Sequence, residues 1–206
     1  MPPGECRDNE HSSNMPSEQP MSKPTRATPE QVPDPGGEIA GTSLSGRPAF
    51  DAIIALGSNM GDKTGNIDRA VALMTERGDV RLVARSGNYA TPPWGKTDQD
   101  WFVNAAMSVD TELSPHTLLA RCKDIEVEMG RVVIERWGPR VIDLDVLVYR
   151  DTILNDPDLV LPHPHIGARA FVLAPLMDIA PDLVIGGHSV RAMYDAVDRA
   201  GVRRLD

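Results

Sequence analysis

Cysteine is scarce in this chain: two in 206 residues, Cys6 and Cys122. They stand far apart and in no ligand spacing. That excludes a disulfide framework and a cysteine-built zinc site, and it fits a reducing, cytoplasmic location. Long apolar runs are missing too, with nothing near the roughly 18 residues of a membrane span. The N-terminus lacks the basic and then apolar layout of a signal peptide, and it is acidic, unlike an organelle transit peptide. Positive charge is in deficit, with 21 Lys and Arg against 30 Asp and Glu and a formal net charge of −9. Phosphate contacts dominate nucleic-acid binding, so neither nucleic acid nor membrane is expected as a partner. No internal repeat is visible. Large apolar residues are few in residues 1–48, which hold half of the prolines and much Ser, Glu and Gly. Such a segment cannot bury enough apolar surface to offset the entropy of ordering. Residues 1–48 therefore read as a disordered tail, with a docking segment as the functional alternative, and 49–206 as the folded domain.

The folded part opens with Ala52-Ile53-Ile54-Ala55-Leu56, an apolar run that predicts a buried strand. Gly57-Ser58-Asn59-Met60-Gly61-Asp62 has turn chemistry, and Ile67, Ala70, Val71 and Met74 mark a helical face that stops at Gly78. A strand, a Gly loop and a helix can cradle phosphate on helix N–H groups. This loop lacks the Walker lysine ending and the dinucleotide glycine spacing, so a plain connection is the simpler reading. Val80 to Tyr89 predicts a second strand, and Ala90 to Asp100 a Pro/Gly loop. Trp101 to Thr111 predicts a third strand with Phe102, Asn104, Ala106 and Ser108 on one face. Ser114-Pro115 starts a helix that runs to about Met129, with Leu118, Cys122, Ile125 and Met129 inward. A strand follows and ends near Tyr149-Arg150-Asp151. Leu159 to His165 is extended, and helices are expected over 168–177 and 189–200. The order predicts an α+β fold: a ferredoxin-like βαββαβ antiparallel sheet with helices on one face and a C-terminal extension.

The densest chemistry lies between Arg131 and Val148. Asp143 and Asp145 are two apart on a predicted strand. Side chains alternate across a strand, so both carboxylates face one way, roughly 7 Å apart at about 3.3 Å per residue. Ile142, Leu144, Val146 and Val148 face the other way as core. Paired acids repel unless a cation or water lies between them. Hard divalent cations such as Mg²⁺ take one or two carboxylates together with substrate phosphates. Arg131, Arg136 and Arg140 stand just upstream, and arginine suits phosphate oxygens. The stretch therefore reads as a metal-plus-phosphate site. On these residues alone, a solvated strand face beside a salt-bridged turn stays open as the alternative.

Further motifs occur in one order: Gly57-Ser58-Asn59, Tyr89-Ala90-Thr91-Pro92-Pro93, Phe102-Val103-Asn104-Ala105-Ala106, Arg136-Trp137-Gly138-Pro139-Arg140, Asp143-Leu144-Asp145, Pro162-His163 and Arg169-Ala170-Phe171-Val172-Leu173. Together they resemble the 6-hydroxymethyl-7,8-dihydropterin pyrophosphokinase family over about residues 51–185, with the Arg-Trp-Gly-Pro-Arg and Asp-Leu-Asp block the most specific part. The resemblance implies an ATP- and Mg²⁺-dependent transferase of folate biosynthesis. Such an enzyme moves pyrophosphate from ATP to the hydroxymethyl group of 6-hydroxymethyl-7,8-dihydropterin and releases AMP. It also implies roles for single residues. Asp143 and Asp145 would hold two Mg²⁺ ions. Arg131, Arg140 and Arg169 would bind the phosphates, with His163 donating to them. Glu126 would hold the nucleotide end, and Val146 would meet adenine through its backbone. The pterin would lie between Phe102 and Phe171, its edge bonded by Asn104 and the backbone around Thr91, Pro92 and Trp94, with Trp137 closing over it. The loops at 92–101 and 131–140 would order on binding, and the protein would be a monomer. Three positions depart from the family pattern on the ATP side: Val133 where some members carry a second arginine, Lys123 for a common glutamine, and Pro164 for an aromatic.

Two other functions stand beside this one. A nucleotidyl-transferring or cyclase-like palm also uses paired acids on such a sheet but releases pyrophosphate; the aromatic slot and the Arg-rich turn disfavour it. A regulatory binding module shares the fold without turnover; paired metal acids argue against it.

Overall fold

The computed structural model describes residues 49–93, 98–130 and 138–205. The 1–48 tail and the candidates Trp94, Arg131 and Trp137, with Val133 and Arg136, lie outside the described residues.

The apolar run at the start forms β1 (Ala52–Ser58), buried along almost its whole length. Asp62 then caps α1 (Lys63–Thr75), its Oδ1 accepting the Gly65 N–H at 3.0 Å. The stretch expected as one strand over Val80–Tyr89 is two, β2 (Val80–Arg85) and β3 (Tyr89–Thr91). Both lie against β4 (Phe102–Thr111), with Arg85 opposite Met107 and Tyr89 opposite Asn104. Three residues, Ser86 to Asn88, thus face two of the partner, which is a bulge. The Ser86 hydroxyl takes over the ladder there and accepts the Ala106 N–H at 2.8 Å. Ser114 caps α2 (Pro115–Glu128) as its position before a proline predicts. After it come β5 (Asp143–Tyr149), a hairpin of β6 (Leu154–Asn155) and β7 (Val160–Leu161), a 3-10 turn at Ile166–Ala168, and α3 (Ala170–Ile179). The chain closes with β8 (Val184–Ile185), β9 (His188–Ser189), α4 (Val190–Ala196) and β10 (Arg203–Arg204).

The main sheet is antiparallel, with strand order β10-β3-β4-β1-β5 and β2 also paired to β4. The helices do not share one face. α1 and α2 pack on one side, where Ile67, Met74, Leu118 and Cys122 meet Ile54, Met107, Leu144 and Val146. α3 and α4 cover the other, where Leu173, Leu176 and Val190 meet Ile53, Ala106, Leu147 and Val148. The reason is composition: the central strands are apolar on both faces, and each face needs a cover. Leu173 and Leu176 are fully buried, and each such side chain contributes about 1.5–3 kcal/mol of burial. The C-terminal part is therefore a second layer.

A second correction concerns β5. Ile142, Leu144 and Val146 face the α1–α2 core as alternation predicts, but Val148 joins the α3 side. Ile53 pairs with Val148 and Ile54 with Val146. Leu147 is the extra residue of a bulge, and alternation changes phase there.

Candidate active site

On the α3 side of the sheet the side chains shrink toward the end of β1. Ala55 and Gly57 leave a cleft that Phe102 and Asn104 of β4, Asp143 and Asp145 of β5, and Phe171 of α3 border. Gly57 is needed for space: a Cβ there would stand 3.0 Å from Asn104 Oδ1 and 3.9 Å from Phe102 Cδ1. Thr91 and Pro92 form one wall, and Arg140 and Arg169 border the acidic end. Nine of the residues expected at the site from the sequence thus line one space: Thr91, Pro92, Phe102, Asn104, Arg140, Asp143, Asp145, Arg169 and Phe171.

Asn104 is buried, and its Nδ2 donates to Thr91 Oγ1 at 2.7 Å. That bond sets which edge of the amide faces the cleft. Phe102 and Phe171 are half-buried, one on each side of the sheet–helix seam, and the Arg169 guanidinium stands 5.7 Å from the Phe171 ring centre. Arg140 Nη1 pairs with Asp143 Oδ1 at 2.6 Å. Burial and the neighbouring Asp143 charge push the Asp145 carboxyl above the usual aspartate range, while His163, Lys123 and Arg169 pull it back. Burial pushes the His163 imidazole below its ordinary value against the pull of Asp145. His163 Nδ1 accepts the His165 N–H at 3.3 Å. A neutral ring that accepts at Nδ1 carries its proton on Nε2.

The carboxylate pair fits a hard cation. Both groups open on the cleft, and a cation would relieve the repulsion that raises Asp145. Oxygen donors suit Mg²⁺. Among the described residues no three His, Cys, Asp or Glu side chains cluster to enclose an ion, so phosphate and water would supply the remaining ligands.

Three expected residues lie outside the cleft lining: His163, Glu126 and Val146. Glu126 is buried and its Oε1 accepts the Leu144 N–H at 2.8 Å, with Lys123 Nζ at 3.3 Å from the same carboxylate. It therefore anchors the β5 edge between the two acids. Val146 is core on the α1–α2 side.

Asn59 takes part without having been singled out as a site residue. It is buried; its Oδ1 accepts the Arg140 N–H at 2.7 Å, and its own N–H donates to Arg140 O at 3.1 Å. Its Nδ2 donates to Gln99 Oε1 at 3.0 Å. One amide thus ties the segment before β5 to the stretch before β4. The legible signal was an asparagine directly after a buried strand, where a side chain with both donor and acceptor can pin two loops.

Comparisons with known proteins point to one family. The family model for 7,8-dihydro-6-hydroxymethylpterin-pyrophosphokinase matches residues 53–181. The 2-amino-4-hydroxy-6-hydroxymethyldihydropteridine pyrophosphokinase of Methylorubrum extorquens is 54% identical over 155 residues, 75% of this chain and 98% of that one. The protein of the same name from Pseudomonas aeruginosa is 42% identical over 74% of this chain and 94% of its own length. A crystal structure of HPPK-DHPS in complex with substrates shares the fold at TM-score 0.55 and 15% identity, over 71% of this chain. The wild-type HPPK-DHPS of Plasmodium falciparum does so at TM-score 0.57 and 14% identity, over 75% of this chain. The chain spans less than half of those two structures, 43% and 47%. By its match to the family model and to these relatives, this chain belongs to the 7,8-dihydro-6-hydroxymethylpterin-pyrophosphokinase family.

Proposed function

We infer that the protein transfers pyrophosphate from ATP to the hydroxymethyl group of 6-hydroxymethyl-7,8-dihydropterin and releases AMP, a step of folate biosynthesis. The observation that carries this reading is the meeting of Asp143 and Asp145 with Phe102 and Phe171 in one cleft. Flat ring, phosphate and acceptor hydroxyl then share one space, and orientation supplies much of the rate of a phosphoryl transfer. Phe102 and Phe171 hold the pterin, and Asn104 with the backbone at Thr91 and Pro92 reads its edge. Asp143 and Asp145 hold two Mg²⁺ ions, which when bound neutralise phosphate charge and polarise the hydroxyl. Arg140 exchanges its Asp143 partner for a phosphate oxygen, Arg169 binds a second, and His163 donates from Nε2. Arg131, Trp94 and Trp137 take phosphate and pterin roles by resemblance, and Glu126 and Val146 serve the nucleotide end. No helix among the described residues is long and apolar enough to cross a membrane; a cytoplasmic monomer is the reading that goes with this function. The strand order, with β2 and β3 counted as one broken strand, supports the ferredoxin-like label.

The test is product analysis with ATP, Mg²⁺ and the pterin. AMP formed one-for-one with pterin pyrophosphate is the expected result. ADP or free pyrophosphate in place of AMP would refute it.

A further inference from the structure

The family match ends at residue 181, yet the last strand returns to the edge of the cleft. β10 pairs with β3, Arg203 opposite Ala90 and Arg204 opposite Tyr89, and the Leu205 N–H donates to Asn88 O at 2.8 Å. β3 is the strand that ends in Thr91 and leads into Pro92, both of which line the cleft.

Side chains add to that pairing. The Arg203 guanidinium lies 4.7 Å from the centre of the Trp101 ring, and Trp101 directly precedes Phe102. Lys63 Nζ, at the start of α1, donates to the Trp101 carbonyl at 2.7 Å. Trp101 is thereby held from two sides. Gly201 runs under the other flank. A Cβ on it would stand 3.0 Å from Pro92 Cδ and 3.8 Å from Trp101 Cη2, and its φ is +80°. Only glycine combines that approach with that backbone. Arg204 Nη1 and the Tyr89 hydroxyl both donate to Asp178 Oδ1, at 3.0 and 2.9 Å, and the Gly87 N–H donates to Oδ2 at 3.0 Å. β3 and β10 are thus fastened to α3, the helix that carries Phe171.

We propose that residues 201–205 are a positioning element for the pterin slot: Arg203 stacked on Trp101, and Gly201 under Pro92, set the placement of Phe102 and Thr91. This rests on the pterin reading above. Neither Arg203 nor Gly201 lines the cleft; both act through the residues they hold. A merely structural C-terminus would change stability and leave the two substrates equally affected. A positioning element acts on the pterin and spares ATP, because Pro92 and Trp101 flank the aromatic end of the cleft and not the acidic one.

The variants are Arg203→Ala, with Arg203→Lys as the conservative control, and Gly201→Ala. A cation on a part-exposed ring is worth about threefold in an equilibrium, so R203A is expected to raise the pterin KM by up to about threefold. kcat and the ATP KM stay at wild-type values, and R203K restores most of the loss. G201A, which drives a Cβ against Pro92, raises the pterin KM further. An unchanged pterin KM in R203A, or two KM values that move together, overturns the proposal. Amide exchange on the free protein gives a second readout. R203A should exchange faster than wild type at Ala90, Thr91, Phe102 and Val103, and equal rates overturn the proposal. Wild-type protein that releases no AMP with the pterin present would refute the function instead, and the exchange rates would still decide the role of the C-terminal strand.

Discussion

On the α1–α2 side of the sheet, Ile54, Met107, Leu144 and Val146 are 3% exposed or less. On the α3 side the same strands present Ala55, Gly57, Asn104, Asp143 and Asp145 to the cleft. The two sets alternate along single strands, so one residue in two faces the core and the next faces the cleft. The difference teaches how two carboxylates can be kept together against their own repulsion. Leu144 sits between them in sequence and is locked into the opposite core, and Glu126 holds its N–H. The apolar face fixes the backbone, and the backbone fixes the acids.

Three measurements would break or sharpen that division. The largest effect is expected on the cleft side. Asp143→Ala or Asp145→Ala should lower turnover at least about 100-fold, as loss of charge stabilisation at a reacting phosphate does. Pterin binding should be kept and the melting temperature should not fall. Steady-state kinetics beside a thermal melt checks this, and near-normal rates in both variants would remove the metal assignment. Next comes the other face. Leu144→Ala should cost about 2–5 kcal/mol in urea denaturation, the range for a truncated buried leucine. The folded fraction should keep its product ratio of one AMP per pterin pyrophosphate.

The smallest effect concerns Asp79, which precedes β2 on the same side as α2. It accepts from Arg121 Nη1 and Nη2 at 3.1 and 2.8 Å. The Arg121 hydrogen bonds hold its carboxyl below the ordinary value of 3.8. A depressed carboxyl contributes stability above its unfolded value and loses it as the pH falls through the folded one. Asp79→Asn should therefore unfold at lower urea than wild type at neutral pH, and the gap should close as the pH drops below 3.8. Turnover at neutral pH should not change. A gap that persists in acid would mean that packing, and not the ion pair, is what Asp79 supplies.

Local chemistry was legible in the sequence, and pairing was not. Ser114-Pro115 starts α2 as a cap and first turn should, and the Asp-x-Asp spacing places both acids on one cleft. The residues brought to the cleft by resemblance, Phe102 and Phe171 among them, meet there. What stayed hidden depends on partners distant in the chain. Ser86 to Asn88 reads as strand until the Ser86 hydroxyl is seen to satisfy Ala106. β10 is two residues long and exists only because β3 offers an edge. The placement of α3 and α4 on the second face follows from both faces of β1 being apolar, which a strand of continuous Ala, Ile and Leu already implied. Asn59 escaped because a buried amide shows its use only when the backbone of Arg140 arrives 81 positions later.

The bulge in β5 has a consequence for the histidine. Leu147 and Val148 both lie toward α3, where a regular strand would place one residue. The Leu147 carbonyl accepts the His163 N–H at 2.8 Å. One surplus residue in an edge strand thus moors a distant segment, bringing the His163 imidazole within electrostatic reach of Asp145. Deleting Leu147 would leave the sidedness of Asp143, Leu144, Asp145, Val146 and Tyr149 intact, remove one buried leucine from the α3-side core, and cut that mooring. An enzyme so shortened would keep its acids and its sheet and lose the imidazole from among them.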